Sequence, residues 1–243
     1  MLLECCVDCV ESAVAASENG ADRLELCANL LIGGTTPDIN LFYRVKRAVS
    51  AKINVLLRPR FGDFCYTDEE FEVLLADVQL FREASADGVV IGVLNPDGTV
   101  DESRMKRLME AAGELPVTFH RAFDVCRDPF EALEACKRLG ISTILTSGQK
   151  NSAMEGLELI TQLVEKAEGI TIMPGSGVSS KNLAELMGCG AKAYHMSAKK
   201  VVESPMTYRK EGVSMGLPMM SEFMIWRCDG EEVARARAIL NKK

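Results

Sequence analysis

Long apolar runs are missing from this chain of 243 residues. No stretch approaches the ~20 apolar residues that a membrane helix requires, so no membrane span is expected. Also missing is a basic segment followed by an extended apolar region. The sequence enters directly on Leu2-Leu3-Glu4-Cys5-Cys6, and no signal peptide is expected. There is no basic surplus: 35 acidic residues face 28 Lys and Arg, for a formal charge of −7, which argues against a general nucleic-acid binder. Histidine is scarce, with two copies, and no glycine-rich dinucleotide fingerprint follows any strand pattern. Cysteine, by contrast, is plentiful. Nine of them, an odd number spread along the chain, read as reduced thiols of a cytoplasmic protein.

The apolar pattern alternates between short strands and amphipathic helices. Strands are predicted near residues 2–6, 23–27, 53–57, 88–92, 116–120, 143–146, 170–174 and 193–196. Between the third and fourth, Thr67 and Glu70 have capping-box spacing, and Phe71, Leu74, Leu75, Val78 and Phe81 then fall on one helical face. Ser152 and Glu155 offer a second capping box, and Asp128-Pro129 opens another helix that Gly140 closes. Small residues precede the even strands at Gly20-Ala21-Asp22, Ser85-Ala86-Asp87, Leu139-Gly140-Ile141 and Gly190-Ala191-Lys192, which hints at a two-strand repeat. Eight such units over residues 1–243 predict a single (β/α)8 TIM-like barrel rather than an open doubly wound sheet. The irregular part is Ser197 to Gly230, read as a long loop before a helix near 231–241, because it holds Pro205, Gly212, Gly216 and Pro218. Its methionines, Met206, Met215, Met219 and Met220, read as packing residues.

The strands end on residues suited to chemistry. A parallel barrel gathers those tips on one face, so Glu4, Glu25, Arg58, His120, Thr146, Gly175 and His195 are expected around one opening. Arg60, Asp63, Arg121 and Asp124 follow the same tips. Arginines fix anions, and a histidine or carboxylate can move a proton. Gly175-Ser176-Gly177 stands where barrels often hold phosphate. These residues therefore predict a pocket for a small phosphorylated or carboxylated ligand, in which Arg58, Arg60 and Arg121 hold an anion near His120. The plainer reading leaves the charges as ion pairs bracing the mouth and Gly-Ser-Gly as a turn.

Glu4-Cys5-Cys6-Val7-Asp8, Ala21-Asp22-Arg23-Leu24-Glu25-Leu26-Cys27 and Gly33-Gly34-Thr35-Thr36-Pro37 resemble the opening of the CutC family, named for copper homeostasis. The likeness continues in order through Arg58-Pro59-Arg60-Phe61-Gly62-Asp63-Phe64, Pro116 to Asp124, Leu145 to Gly148, Met173 to Gly177 and Tyr194 to Ala198. It implies a cytoplasmic TIM barrel with a role in copper handling, and it implies no catalytic reaction. It also implies Cys6 and Cys27 as Cu(I) ligands, which suits a soft ion, and it allows a homo-oligomer. Cys5 and Cys9 are additions to the usual pattern, so Cys6-x-x-Cys9 is a further possible chelate. Met196 stands where relatives often carry cysteine. A TIM-barrel enzyme acting on a small anionic metabolite stays open beside this reading. So does a non-catalytic assembly protein that uses the long tail as its interface.

Overall fold

A computed structural model describes residues 1–213, 215 and 221–242. Eight parallel strands run as β1 (Leu2–Val7), β2 (Arg23–Leu26), β3 (Lys52–Leu56), β4 (Gly88–Ile91), β5 (Val117–Phe119), β6 (Thr143–Thr146), β7 (Thr171–Pro174) and β8 (Ala193–Met196). Hydrogen bonding follows the order β7-β6-β5-β4-β3-β2-β1-β8, so β1 to β7 pair in sequence order and β8 pairs with β1. β7 and β8 stand side by side at the seam without a shared ladder. The result is a nearly closed (β/α)8 barrel with its helices outside, as the alternation of patterns predicts.

The helices are α1 (Val10–Glu18), α2 (Ile39–Ala48), α3 (Asp68–Glu83), α4 (Glu102–Ala112), α5 (Pro129–Leu139), α6 (Leu157–Lys166), α7 (Leu183–Leu186) and α8 (Gly230–Leu240). α3 begins with the expected box: Thr67 Oγ1 accepts from the Glu70 N–H, and the Glu70 carboxylate accepts from the Thr67 N–H. Ser152 and Glu155 also pair, with Glu155 N–H donating to Ser152 Oγ at 3.3 Å. Regular helix starts later, at Leu157, and the intervening turn is pressed against the loop after β6: a Cβ on Gly156 would meet Ser147 O at 1.9 Å.

The two-strand repeat is real at the end of the barrel opposite the strand tips. Gly20, Ser85, Gly140 and Gly190 all take left-handed φ, between 61° and 100°, just before an even strand. In the first three, the next N–H reaches back to a helix carbonyl: Ala21 to Ala16, Ala86 to Phe81, Ile141 to Cys136. This is the αL turn that caps a helix and reverses the chain. Asp22 and Asp87 then bind back to the preceding odd strand, accepting from Leu3 N–H at 2.7 Å and Ile53 N–H at 2.8 Å.

Strand alternation divides the side chains. Leu3, Cys5, Val7, Leu24, Leu26 and Val55 pack outward against the helices. The interior is not uniformly apolar. Leu145, Met173 and Ala193 form one patch, and Cys6, Cys27, Leu56 and Val90 another. Glu4, Glu25, Asn54 and Thr118 are buried in the same sheet.

The stretch expected to be one long loop differs from that reading. It contains an antiparallel hairpin, β9 (Lys199–Glu203) and β10 (Met224–Cys228), in which Val201 faces Trp226 and Lys199 faces Cys228. Each arm is short and contains β-branched or aromatic residues, which suits a strand. Pro205 and Gly212, which signalled a loop, belong to the connection between the arms; Gly216 and Pro218 lie outside the described residues. Met206 and Met215, expected to pack, are exposed in that same connection, beyond the reach of the barrel core. Met219 and Met220 also lie outside the described residues.

The hairpin is pinned to the barrel at its base, where Cys228 N–H donates to Ser12 Oγ of α1 at 3.0 Å in a buried contact. Ser12→Ala leaves that N–H without an acceptor and should cost about 1–3 kcal/mol. Urea unfolding measures the loss, and amide exchange at Cys228 should accelerate with it.

Candidate functional site

The strand tips surround a cavity of about 220 Å³. Cys6, Glu25, Arg58, His120, Arg121 and His195 all line it, so the two histidines meet at one opening. Ser176 and Gly177 form part of its rim. Gly175 lies behind, where a Cβ would strike Leu145 Cδ1 at 2.5 Å and approach His195. The hairpin closes over one side through Lys199, Trp226 and Arg227.

At the base lies a buried charge network. Glu4 is fully enclosed. One of its oxygens accepts from Arg23 Nε, and the other pairs with His195 Nδ1 at 2.8 Å. His195 Nε2 faces Glu25 Oε2 at 3.8 Å. Burial alone would depress the imidazole, but Glu25, Cys6 and Glu4 outweigh it and hold His195 well above its ordinary pKa. Burial would likewise raise Glu4, yet its bond to His195 and the Arg23 charge hold it below the usual carboxylate value. Glu25 lacks such a clamp. Burial pushes it up to about 7, opposed by His195 and assisted by Glu4. The imidazole thus stands between two acidic side chains, hydrogen-bonded to Glu4 and 3.8 Å from Glu25.

Single donor atoms from Cys6, Glu25 and His195 lie within 4.8 Å of one another, close enough to converge on one ion. Cys27 is placed differently. Its thiol is fully buried and points to backbone oxygens, Val7 O at 3.4 Å and Glu25 O at 3.8 Å. The loop after β2 covers it, since a Cβ on Gly34 would stand 3.6 Å from Cys27 Cβ. Burial, reinforced by Glu25, raises its pKa well above that of a free thiol. Cys9 sits at the start of α1 with its Sγ on Ser12 Oγ at 3.1 Å, and Cys5 packs outward.

A second group of polar residues stands nearby on the cavity wall. Arg58 is held by the loops beside it: Nη1 donates to Gly34 O at 3.1 Å and Nη2 to Gly62 O at 2.6 Å. Its guanidinium lies 4.9 Å from the Phe64 ring centre, and that ring stands 4.7 Å from His120. His120 Nδ1 accepts from Ala122 N–H at 3.2 Å, so in the neutral ring the proton is on Nε2. Burial, helped by the Arg58 charge, pushes its pKa down to about 3. The Nε2 of His120 and the Nε of Arg58 are both buried without a protein partner.

The other predicted residues are engaged at the rim. Arg60 turns outward, with Nε on Glu70 at 2.6 Å and Nη2 on Asp63 at 3.0 Å, and so belongs to the cap of α3. Asp124 gathers the loop after β6, accepting from Thr146 Oγ1 at 2.5 Å and from Ser147 N–H at 2.9 Å. Arg121 reaches the wall but is braced by Asp124 at 2.7 Å and by Ser147 Oγ at 3.0 Å. Arg23, Trp226 and Arg227 were not anticipated from the sequence. The alternation Arg23, Glu25 within β2 carried the signal for the first, while the other two depend on the hairpin.

Fold and site together define a (β/α)8 barrel whose mouth holds a thiol, a carboxylate and an imidazole over a buried charge network. A family model described as the CutC family matches residues 1–200. Relatives named CutC from Citrobacter koseri and Salmonella typhimurium are each 44% identical over 240 residues, covering 98% of this chain and 97% of theirs. The chain belongs to the CutC family. A crystal structure of CutC from Streptococcus agalactiae, a protein proposed to act in copper homeostasis, superposes with a TM-score of 0.75 at 31% identity, covering 81% of this chain and 98% of that one. Thiamine phosphate pyrophosphorylase from Pyrococcus furiosus, at 18% identity and a TM-score of 0.60, shares the fold.

The buried neutral His120 gives a pH test. Its pKa lies below the unfolded value of 6.5, so it contributes stability above that pH and loses it as pH falls toward about 3. Between pH 6.5 and 4, urea stability of the parent should therefore fall more steeply than that of His120→Gln. Parallel curves would show that the imidazole takes up its proton in the folded chain as it does in the unfolded one.

Proposed function

We propose that this chain takes up Cu(I) at the mouth of its barrel, with the Cys6 thiolate and the His195 imidazole as the soft ligands and Glu25 beside them. The single observation behind this reading is the convergence of those three donors within 4.8 Å in a buried site. Thiolate and imidazole both suit copper, and thiolate in particular favours the Cu(I) state. Glu4 acts behind the ligand. By holding Nδ1 it orients the ring and leaves Nε2 for the ion, the arrangement metal-binding histidines commonly adopt. The copper role given to the Streptococcus agalactiae protein supports the same reading. The nine cysteines, all unpaired, suit a reducing compartment, which is the basis for placing the protein in the cytoplasm. No helix among the described residues is long and apolar enough to cross a membrane.

The resemblance paired Cys6 with Cys27. In the proposed site Cys27 is instead a neighbour enclosed by the β2 loop, and its deprotonation would require burying a second thiolate beside Glu25.

An anaerobic titration against a competing chelator distinguishes the two ligand sets. About one Cu(I) per chain is expected, with binding lost in Cys6→Ser and weakened about 10–100-fold in Glu4→Gln, the usual effect of removing an outer-shell partner. Cys27→Ser should retain stoichiometry. Equal loss in both cysteine variants would restore the two-thiol site, and unchanged affinity in Cys6→Ser would end the copper reading. Because the ion must displace a proton from His195, affinity should rise with pH across the neutral range.

A further inference from the structure

The cavity contains polar features that the copper ligands do not use. Ser176 and Gly177, on the loop after β7, take consecutive left-handed conformations with φ of 75° and 71°. Such a conformation is costly for serine, and strain of this kind clusters at binding sites. Among the described residues, no carbonyl or side chain accepts from the N–H of Ser176 or of Gly177. The Ser176 hydroxyl is engaged, donating to Asn151 O at 2.7 Å, which leaves the two backbone amides as the unpaired donors of this cavity-lining turn. Successive free amides in a turn form an anion-binding concavity.

Charge supports the same conclusion. The whole chain carries −7, yet the cavity is lined by four cations (Arg58, Arg121, Lys199, Arg227) against two acids, Asp8 and Glu25, with His195 aside. Lys199 is the β9 residue next to the β8 loop. Its Nζ lies 3.9 Å from the Trp226 ring centre and joins no ion pair among the described residues. Among the residues that line the cavity, His120 Nε2 and Arg58 Nε are the buried side-chain nitrogens without a hydrogen-bond partner, and both are hydrogen donors. A partner for them must therefore bring acceptor oxygens. Phe64, Leu56 and Trp226 supply apolar wall between the two polar ends. The volume, about 220 Å³, is below the ~300–1,000 Å³ of drug-sized sites and suits a small metabolite.

We infer that the barrel mouth holds a second ligand beside the metal cluster: a small organic phosphate. Its phosphoryl group rests on the Ser176 and Gly177 amides with Lys199, and an oxygen at its other end is read by His120 and Arg58. None of these residues is a proposed copper ligand, so the inference goes beyond the copper reading and does not depend on it.

The test uses copper-free full-length protein in buffer without competing phosphate or sulfate, with inorganic phosphate and glycerol 3-phosphate as probes. Amide resonances of Ser176 and Gly177 are followed by heteronuclear NMR during each titration. Both probes should move those two amides saturably, and glycerol 3-phosphate should bind more tightly. Lys199→Gln, on an exposed strand, should weaken both about tenfold, the effect of losing one charge-assisted contact. His120→Gln should weaken glycerol 3-phosphate and spare inorganic phosphate. Cys6→Ser should bind both as the parent does, so this site and the copper site can fail separately. Amides unmoved by either probe at about 10 mM, a concentration that would reveal even millimolar affinity, would overturn the inference. So would equal affinity in the parent and Lys199→Gln.

Discussion

A carboxylate with no exposure to water must find its counter-charges or cease to be charged. Glu4 finds them on both neighbouring strands, Arg23 on β2 and His195 on β8. That contact ties three strands together next to the seam where the β7–β8 ladder is missing. It also fixes which face of His195 points into the cavity. The site is thus arranged from below: Glu4 sets His195, His195 and Glu4 oppose each other in setting Glu25, and the Cys6 thiol, two residues further along β1 on the same face, stands beside the result. The arrangement is expensive to disturb, because removing one partner strands the others in a place water does not reach.

Much of this was legible in the sequence. Eight apolar segments ending on polar residues are enough to imply one crowded face, since parallel strands have no other way to end. The left-handed turns at Gly20, Ser85, Gly140 and Gly190 could be read as well, because small residues mark them directly. Side-chain direction was less accessible. Arg58 and Arg60 are two residues apart at the same tip, yet Arg58 stacks inward on Phe64 while Arg60 is drawn out by Glu70 and Asp63. That difference comes from a helix cap, a tertiary partner the local pattern does not name. Cys6 and Cys27 differ for a similar reason: both follow apolar strand residues, but a loop folds over one and leaves the other at the cavity.

The hairpin was hidden for another reason. Its arms are five residues each and are separated by a connection with the composition of a loop. Strand pairing across such a distance leaves little trace in a local window. Its importance comes from placement, since it brings Trp226, Arg227 and Lys199 over a mouth otherwise built from the barrel strands and the segments that follow them. β9 remains exposed along its whole length, Val201 and Val202 included.

The four left-handed turns before the even strands all lie at the end of the barrel away from the cavity, and three of them return the same hydrogen bond to a helix. The two ends of the molecule therefore follow different rules. One end is a repeated module whose joints are interchangeable in geometry, and the other is a set of unlike loops, each carrying its own side chains. A lineage built this way can exchange what it binds by rewriting loops while inheriting its foundation intact. An engineer could do the same, grafting new mouths onto a base that does not need to be redesigned.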